Sequence, residues 1–300
     1  MSLNAVAQLI NDAVLERRGL DTDDSVPHRR RGYVELLRHF SPTETACEVT
    51  PYDVAGMAAL RFTPAERGGG LLVWFHSGGW VLGSPSLSIS EMDLLCATSR
   101  CVGLSVDYRL APEHRLPAAQ LDGIEAARWA IEHAAELGCD PARVAVGGDS
   151  AGGNLAAVAS QRVEGLCAQV LVYPGCDLTT DWDDVPYPQG YLLDAAWMRW
   201  FLAQCAPDVA LADPLVSPGL ADAEVLSRVP PAFVVTAEYD PLLAMTLAYV
   251  ERLRDAGAHV EHAHFAEVMH LFFSMPSALA DAKVAIALAS SFLSTQFEAR

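Results

Sequence analysis

In Val144-Ala145-Val146-Gly147-Gly148-Asp149-Ser150-Ala151-Gly152, a short apolar run opens into a Gly-x-Ser-x-Gly pentapeptide, and Leu155-Ala156-Ala157-Val158-Ala159 follow. The run reads as a buried strand and the alanine-rich segment as a helix. A strand, a sharp turn carrying serine and a helix make a nucleophile elbow, which exposes the serine hydroxyl at the end of a strand. Two glycines and a serine at these offsets arise by chance in roughly one chain in ten of this length. The pentapeptide therefore gains its weight from its partners.

Upstream, Leu71-Leu72-Val73-Trp74-Phe75 ends in His76-Ser77-Gly78-Gly79-Trp80, a strand opening into a glycine-rich loop. Acyl transfer builds negative charge on a carbonyl oxygen, and backbone N–H groups aimed at that oxygen stabilise it where water is excluded. In lipases and esterases such a loop supplies half of the oxyanion hole, and the amide after the nucleophile supplies the rest. Here that amide belongs to Ala151. The same loop also fits an ordinary strand-to-loop turn whose glycines serve positive φ.

A serine hydroxyl is a weak nucleophile at neutral pH; it needs a base, and the base needs an orienting group. Of nine histidines, His270 has the best setting, between a predicted strand over 259–265 and a helical stretch from about 277 to 297. Catalytic groups concentrate on such connecting loops. His259, His262 and His264 fall inside the strand, with His262 and His264 on one face. A metal pair there has no third ligand nearby, so a packed or solvated face is the expected reading. His28, His39 and His133 lack a comparable setting, and His76 is expected to hold the glycine loop in place.

For the orienting acid, the strand Ala232-Phe233-Val234-Val235-Thr236-Ala237 runs into Glu238-Tyr239-Asp240-Pro241. Asp240 is the first choice and Glu238 the second. Functional groups of an open α/β sheet gather beyond the carboxyl ends of its strands, and the proline keeps the residue before it extended or in a turn. The order Ser150, Asp240, His270 is that of the α/β-hydrolases and differs from the orders in chymotrypsin and subtilisin.

These segments together resemble the hormone-sensitive-lipase-like branch of the α/β-hydrolases, in which bacterial carboxylesterases and acetyl esterases are abundant. The resemblance rests on His76-Ser77-Gly78-Gly79-Trp80, Asp107-Tyr108-Arg109-Leu110-Ala111-Pro112-Glu113-His114 and Gly148-Asp149-Ser150-Ala151-Gly152-Gly153-Asn154. It also rests on Ala237-Glu238-Tyr239-Asp240-Pro241-Leu242 and Met269-His270. It implies a triad of Ser150, His270 and Asp240, with an oxyanion hole from the amides of Gly78, Gly79 and Ala151. It further implies a cap from the N-terminal segment and an insertion before the acid strand, with the stretch 107–114 as support beneath the site. Two residues depart from the family pattern. Ser77 stands where the first glycine of a His-Gly-Gly-Gly run is usual, which raises an uncommon φ or an extra hydroxyl near the pocket. Leu271 stands where a glycine usually follows the histidine, which raises a shifted loop or a narrowed acyl site.

The expected architecture is a single α/β-hydrolase domain over 1–300, with a mostly parallel central sheet flanked by helices and a helical cap from about 1–45 and 176–230. Chains of this length often remain one domain. Predicted strands at 101–106, 144–146 and 167–173 alternate with helices near 118–136 and after the elbow, the pattern of a parallel sheet covered by helices. The region 176–230 breaks the alternation and carries Trp182, Tyr187, Tyr191, Trp197, Trp200 and Phe201, which favour an apolar entrance. Leu3, Val6, Ala7, Ile10 and Val14 recur at helical spacing, giving a helix expected to pack on the cap and cover the pocket.

The net charge of −18 and a pI near 4.7 disfavour nucleic acid and anionic membranes, which reward basic patches. Arg29-Arg30-Arg31 is too short to alter that. No apolar segment has the length of a membrane span. Seven cysteines without a Cys-x-x-Cys pair read as reduced residues, and the absence of a signal-peptide pattern points to the cytoplasm. The expected activity is hydrolysis of short-chain acyl esters, without metal or organic cofactor. An amidase or deacetylase using the same triad is the alternative within catalysis, and a catalytically silent small-molecule binding protein the alternative outside it. The strand at 259–265, if it forms a sheet edge, offers a surface on which two copies could pair as a homodimer.

Overall fold

The computed structural model describes residues 2–19, 23–42, 44–182, 191–205 and 208–299. Two helices, α1 (Ala5–Gly19) and α2 (Val26–Arg38), precede a hairpin of β1 (Glu48–Val54) and β2 (Met57–Thr63). Strands and helices then alternate through β3 (Leu71–Phe75), α3 (Ile89–Ser99), β4 (Val102–Val106), α4 (Ala118–His133), β5 (Val144–Asp149), α5 (Ala151–Arg162) and β6 (Ala168–Val172). After α6 (Ala195–Cys205) and the short α7 (Ala223–Leu226) come β7 (Ala232–Tyr239), α8 (Leu243–Asp255), β8 (Val260–Met269) and α9 (Ala280–Glu298).

The strands form one sheet in the order β1-β2-β4-β3-β5-β6-β7-β8. β1 and β2 pair antiparallel, as do β2 and β4, and every later pairing is parallel. Parallel strands covered on both faces read as continuous apolar runs; accordingly every residue of β3, β4, β5 and β6 is buried. One face packs on α4, α5 and α8, the other on α3 and α9.

Register decides where the site forms. β3 and β5 are neighbours with Phe75 opposite Gly148, so the glycine loop and the elbow leave the sheet side by side. β7 and β8 pair from Ala232 with Val260 to Tyr239 with Met269, so Asp240 and His270 leave their strands together. β8 runs four residues past the predicted end at Phe265, and His270 follows it directly. Its polar alternation hides this length from a reading based on apolar runs. The hairpin of β1 and β2 was not expected; its exposed, proline-containing edge strand carries a weak strand signal.

The N-terminal segment differs from expectation in its packing. Leu3 and Ala7 are buried, but Val6 is 44% exposed, so the inward stripe runs through Leu3, Ala7 and the buried Asn11. The Asn4 amide donates to the Glu267 carbonyl at 2.8 Å, and Asn4 Nδ2 donates to Asp281 at 3.0 Å. The start of α1 thus lies against β8 and α9, while its Val14 lines the cavity over the site together with residues of α2. Past α6 the chain returns to the body, where Asn154 Nδ2 donates to the Val216 carbonyl and Gln161 Nε2 to that of Pro218. Tyr187 lies outside the described residues. Among the described residues, no helix is long and apolar enough to cross a membrane.

Candidate active site

β5 ends at Asp149 and α5 begins at Ala151, leaving Ser150 alone on the turn with φ 58° and ψ −116°. Such backbone costs about 1–3 kcal/mol and persists only where the surroundings enforce it. The enforcement is main-chain packing: a Cβ on Gly152 would overlap the carbonyl oxygen of Phe75, so β3 and α5 touch with no room for a side chain. The Ser150 N–H donates to Val172 at 2.9 Å, and the Ser150 carbonyl accepts from Asn154 and Gly175. Buried Asn154 ties α5 to the next loop through the Gly175 carbonyl at 2.7 Å. The first amides of α5 lack intrahelical partners, which leaves the Ala151 N–H a donor beside Ser150.

His270 Nε2 lies 2.9 Å from Ser150 Oγ, and its Nδ1 lies 2.7 Å from Asp240 Oδ2. The other oxygen of Asp240 accepts the Leu242 N–H at 2.8 Å. With Nδ1 protonated toward the carboxylate, Nε2 is free to accept the serine proton. The His270 N–H donates to the Tyr239 carbonyl, and the Tyr173 ring packs 4.5 Å from the imidazole. Ser150, Asp240 and His270 are all buried. Glu238, the second-choice acid, accepts instead from His264 Nε2 at 3.0 Å. His262 and His264 both bond Thr236 Oγ1 from one face of β8, at 2.8 and 3.0 Å.

Gly78 and Gly79 have φ of 126° and 60°. The Gly78 carbonyl accepts from the amides of Val81 and Leu82, which turns the N–H of the same peptide, that of Gly79, to the opposite side. His76 Nδ1 donates to the Ser77 carbonyl at 2.8 Å and orients the Gly78 N–H likewise. Burial pushes His76 down to about 4, so its ring is neutral. It stacks on Tyr108, whose hydroxyl donates to the His76 carbonyl. This gives the stretch 107–114 a physical role as a buttress. Arg30 joins it by donating to both oxygens of Glu113 and to the Val81 and Ala111 carbonyls.

The two departures from the family pattern resolve locally. Ser77 has no positive φ; its hydroxyl pairs with Tyr33 at 2.7 Å. Leu271 itself adopts the left-handed conformation, φ 73°, that a glycine would hold, and its side chain lines the cavity. Behind Ser150 lies a feature the sequence did not suggest. Asp149 and Glu91 are buried; Asp149 Oδ2 accepts from Ser274 Oγ at 3.3 Å, while its Oδ1 and Glu91 Oε2 have no hydrogen-bond partner among the described residues. Burial raises Asp149 to about 6, and burial and then the charge of Asp149 raise Glu91.

A cavity of about 580 Å³ opens above Ser150, walled by Leu82, Leu192, Trp197 and Leu271, with α2 at its mouth. Arg29 stacks over Trp197 and Trp200, 3.9 and 4.6 Å from their centroids, and pairs with Asp24. Arg29 and Arg30 of the basic run therefore fasten α2 to α6 and to the end of the glycine loop, a use that charge counting misses. A second recess of about 10 Å³ also borders Ser150, lined by Trp80, Ala151, Gly175, Met198 and Leu242, and shares Gly79, Leu193 and Phe201 with the cavity.

A family model for the alpha/beta hydrolase fold matches residues 72–274. The chain is 38% identical over 277 residues to carboxylic ester hydrolase LipN of Mycobacterium tuberculosis, covering 86% of this chain and 73% of that protein. It is 38% identical over 231 residues to ethyl acetate hydrolase of Pseudomonas putida, covering 73% and 70%. Ester-hydrolase EH1AB1 from the Lake Arreo metagenome, solved in complex with a derivative of bipyridine phosphonate, matches with a TM-score of 0.90 at 33% identity. That match covers 99% of this chain and 100% of the other. The chain belongs to the α/β-hydrolases, in their hormone-sensitive-lipase-like branch.

Proposed function

We propose that the protein is a serine carboxylesterase acting on esters of short acyl groups, with Ser150 as nucleophile, His270 as general base and acid, and Asp240 as its orienting group. The observation that carries the reading is the unbroken chain from Asp240 through His270 to Ser150 at the floor of an apolar cavity. Ser150 Oγ attacks the ester carbonyl while His270 Nε2 takes its proton, and Asp240 stabilises the imidazolium. The oxyanion forms against the amides of Gly78, Gly79 and Ala151. The leaving alkoxide takes the proton from His270. Water, deprotonated by the same nitrogen, then releases the acid from the acyl-enzyme.

The two spaces around Ser150 support an assignment of the substrate's halves. The leaving oxygen must lie near His270 Nε2, and His270 lines the large cavity but is absent from the described lining of the recess. The alcohol therefore occupies the large cavity, and the acyl group the recess beside Ala151 and Gly79. The recess, at about 10 Å³ and walled by Trp80, Met198, Phe201 and Leu242, is far smaller than the cavity, which supports short acyl groups. Relatives named for carboxylic ester and ethyl acetate hydrolysis support the same class.

The test is a rate series on aryl esters of one alcohol with acetyl, butanoyl and octanoyl groups, beside the matched acetanilide. The acetyl ester should have the highest kcat/KM and the octanoyl ester one lower by at least about tenfold, since a misfit methylene costs about 1–3 kcal/mol. An anilide turned over faster than every ester would make the protein an amidase. Absence of turnover on all four would make it a binding protein.

A further inference from the structure

Two side chains of α6 reach beyond the cavity to the glycine loop itself. The Phe201 ring fills the space where a Cβ on Gly79 would lie. One turn on, Cys205 Sγ donates to the Gly79 carbonyl at 3.5 Å. Cys205 is fully buried, and burial pushes its thiol well above the usual range, so it keeps the proton it donates. The Cys205 carbonyl is in turn bonded by the Leu116 N–H, so this end of α6 is anchored to the body.

The loop needs such a hold. The Gly78–Gly79 peptide is a rigid plane. Its carbonyl end is fixed by Val81 and Leu82, but its other end is the α-carbon of Gly79, a residue whose own side chain defines no conformation. Phe201 covers that α-carbon, and Cys205 fixes the carbonyl that follows it.

We propose that Cys205, with Phe201, is a positioning residue. By holding Gly79, α6 keeps that amide aimed at the oxyanion, so the helix over the cavity contributes to transition-state stabilisation as well as to enclosure. This rests on the reading of Gly79 as an oxyanion donor. A weak S–H donor that holds a strong one should have an effect well below the hundredfold or more lost with a whole oxyanion donor. Small misplacements of a catalytic group nonetheless carry large rate costs.

The test compares Cys205→Ala and Cys205→Ser in turnover of an acetyl ester and in binding of an aryl trifluoromethyl ketone. The ketone reports the oxyanion hole because Ser150 Oγ bonds to its carbonyl carbon, His270 takes the serine proton, and the carbonyl oxygen becomes the anion. The corresponding secondary alcohol cannot form this adduct and reports cavity binding alone. Cys205→Ala should lower kcat and ketone affinity together by about tenfold, with KM and alcohol affinity unchanged within about twofold. Cys205→Ser, whose hydroxyl donates to the same carbonyl, should restore most of both. If the alanine variant does not fold, Cys205→Val, similar in volume and without a donor, carries the same expectation. The role of Cys205 is overturned if the donor-less variant keeps kcat and ketone affinity, if alcohol binding falls in step with them, or if serine rescues nothing. Failure of the unmodified protein to bind the ketone through Ser150 would instead overturn the reading of the site on which this role rests.

Discussion

The floor beneath Ser150 and the roof above it are held in different ways. On the floor, main chain packs on main chain: Gly152 against the Phe75 carbonyl, the Ser150 amide on Val172, the His270 amide on Tyr239. On the roof, side chains do the fastening: Arg29 over two tryptophans, Trp200 Nε1 on the Asp24 carbonyl, Phe201 and Cys205 on Gly79. A main-chain contact offers no smaller residue to substitute, so the floor has one solution. A side-chain contact can be trimmed or enlarged stepwise, so the roof is where selectivity and rate can be tuned in small steps.

The sharpest break of this contrast is one methyl group on the floor. Gly152→Ala should drive β3 and α5 apart and cost several kcal/mol, in the range where single changes become exceptional. The expected outcome is little soluble protein, or a Tm lower by more than about 10 °C with activity lost. A variant that melts and turns over like the parent would show that the floor can yield. On the roof, by contrast, trimming Cys205 to a residue without a donor should cost only about tenfold in kcat.

The smallest expected effect concerns Asp149, a buried acid beneath Ser150 with one oxygen left without a partner among the described residues. Asp149 has its folded pKa raised by burial from 3.8 to about 6. Between those values the native state holds more protons than the unfolded chain, so this group's contribution to stability falls as pH rises through the window and stays low above it. His76, lowered to about 4, acts in the opposite sense over nearly the same range, so the two must be separated by substitution. Asp149→Asn should raise Tm relative to the parent by an amount that is near zero at pH 4 and grows to about a few degrees by pH 7. Melting curves with a pH-independent difference would contradict the raised protonation range of the buried Asp149 carboxyl.

The contrast also explains what the sequence disclosed. β3, β5 and β7 are apolar runs cut off by His76, by Gly147-Gly148-Asp149 and by Glu238-Tyr239-Asp240, and such breaks are visible locally. The elbow, the glycine loop and Asp240 sit at those breaks, so their places could be read before their distances were known; His270 follows the polar strand β8 and was legible only from its place between that strand and the last helix. The roof is made of contacts between distant residues, such as Cys205 with Gly79 and Arg29 with Trp197. Neither carries a periodic or compositional mark. Glu91 was hidden for the same reason, as a single acid in a helix whose buried face only the fold reveals. Leu271 shows the limit of pattern matching: the position demands a left-handed backbone, and leucine supplies it here.

The central claim is that Ser150 is the nucleophile activated by His270, and covalent labelling tests it most directly. A p-nitrophenyl alkylphosphonate should lose p-nitrophenolate to Ser150 Oγ, adding one phosphonyl group per chain in proportion to lost esterase activity, with the adduct on the peptide containing Ser150. Labelling should slow by at least about a thousandfold in His270→Ala. Complete inactivation with Ser150 unmodified, or labelling that is indifferent to His270, would contradict the account.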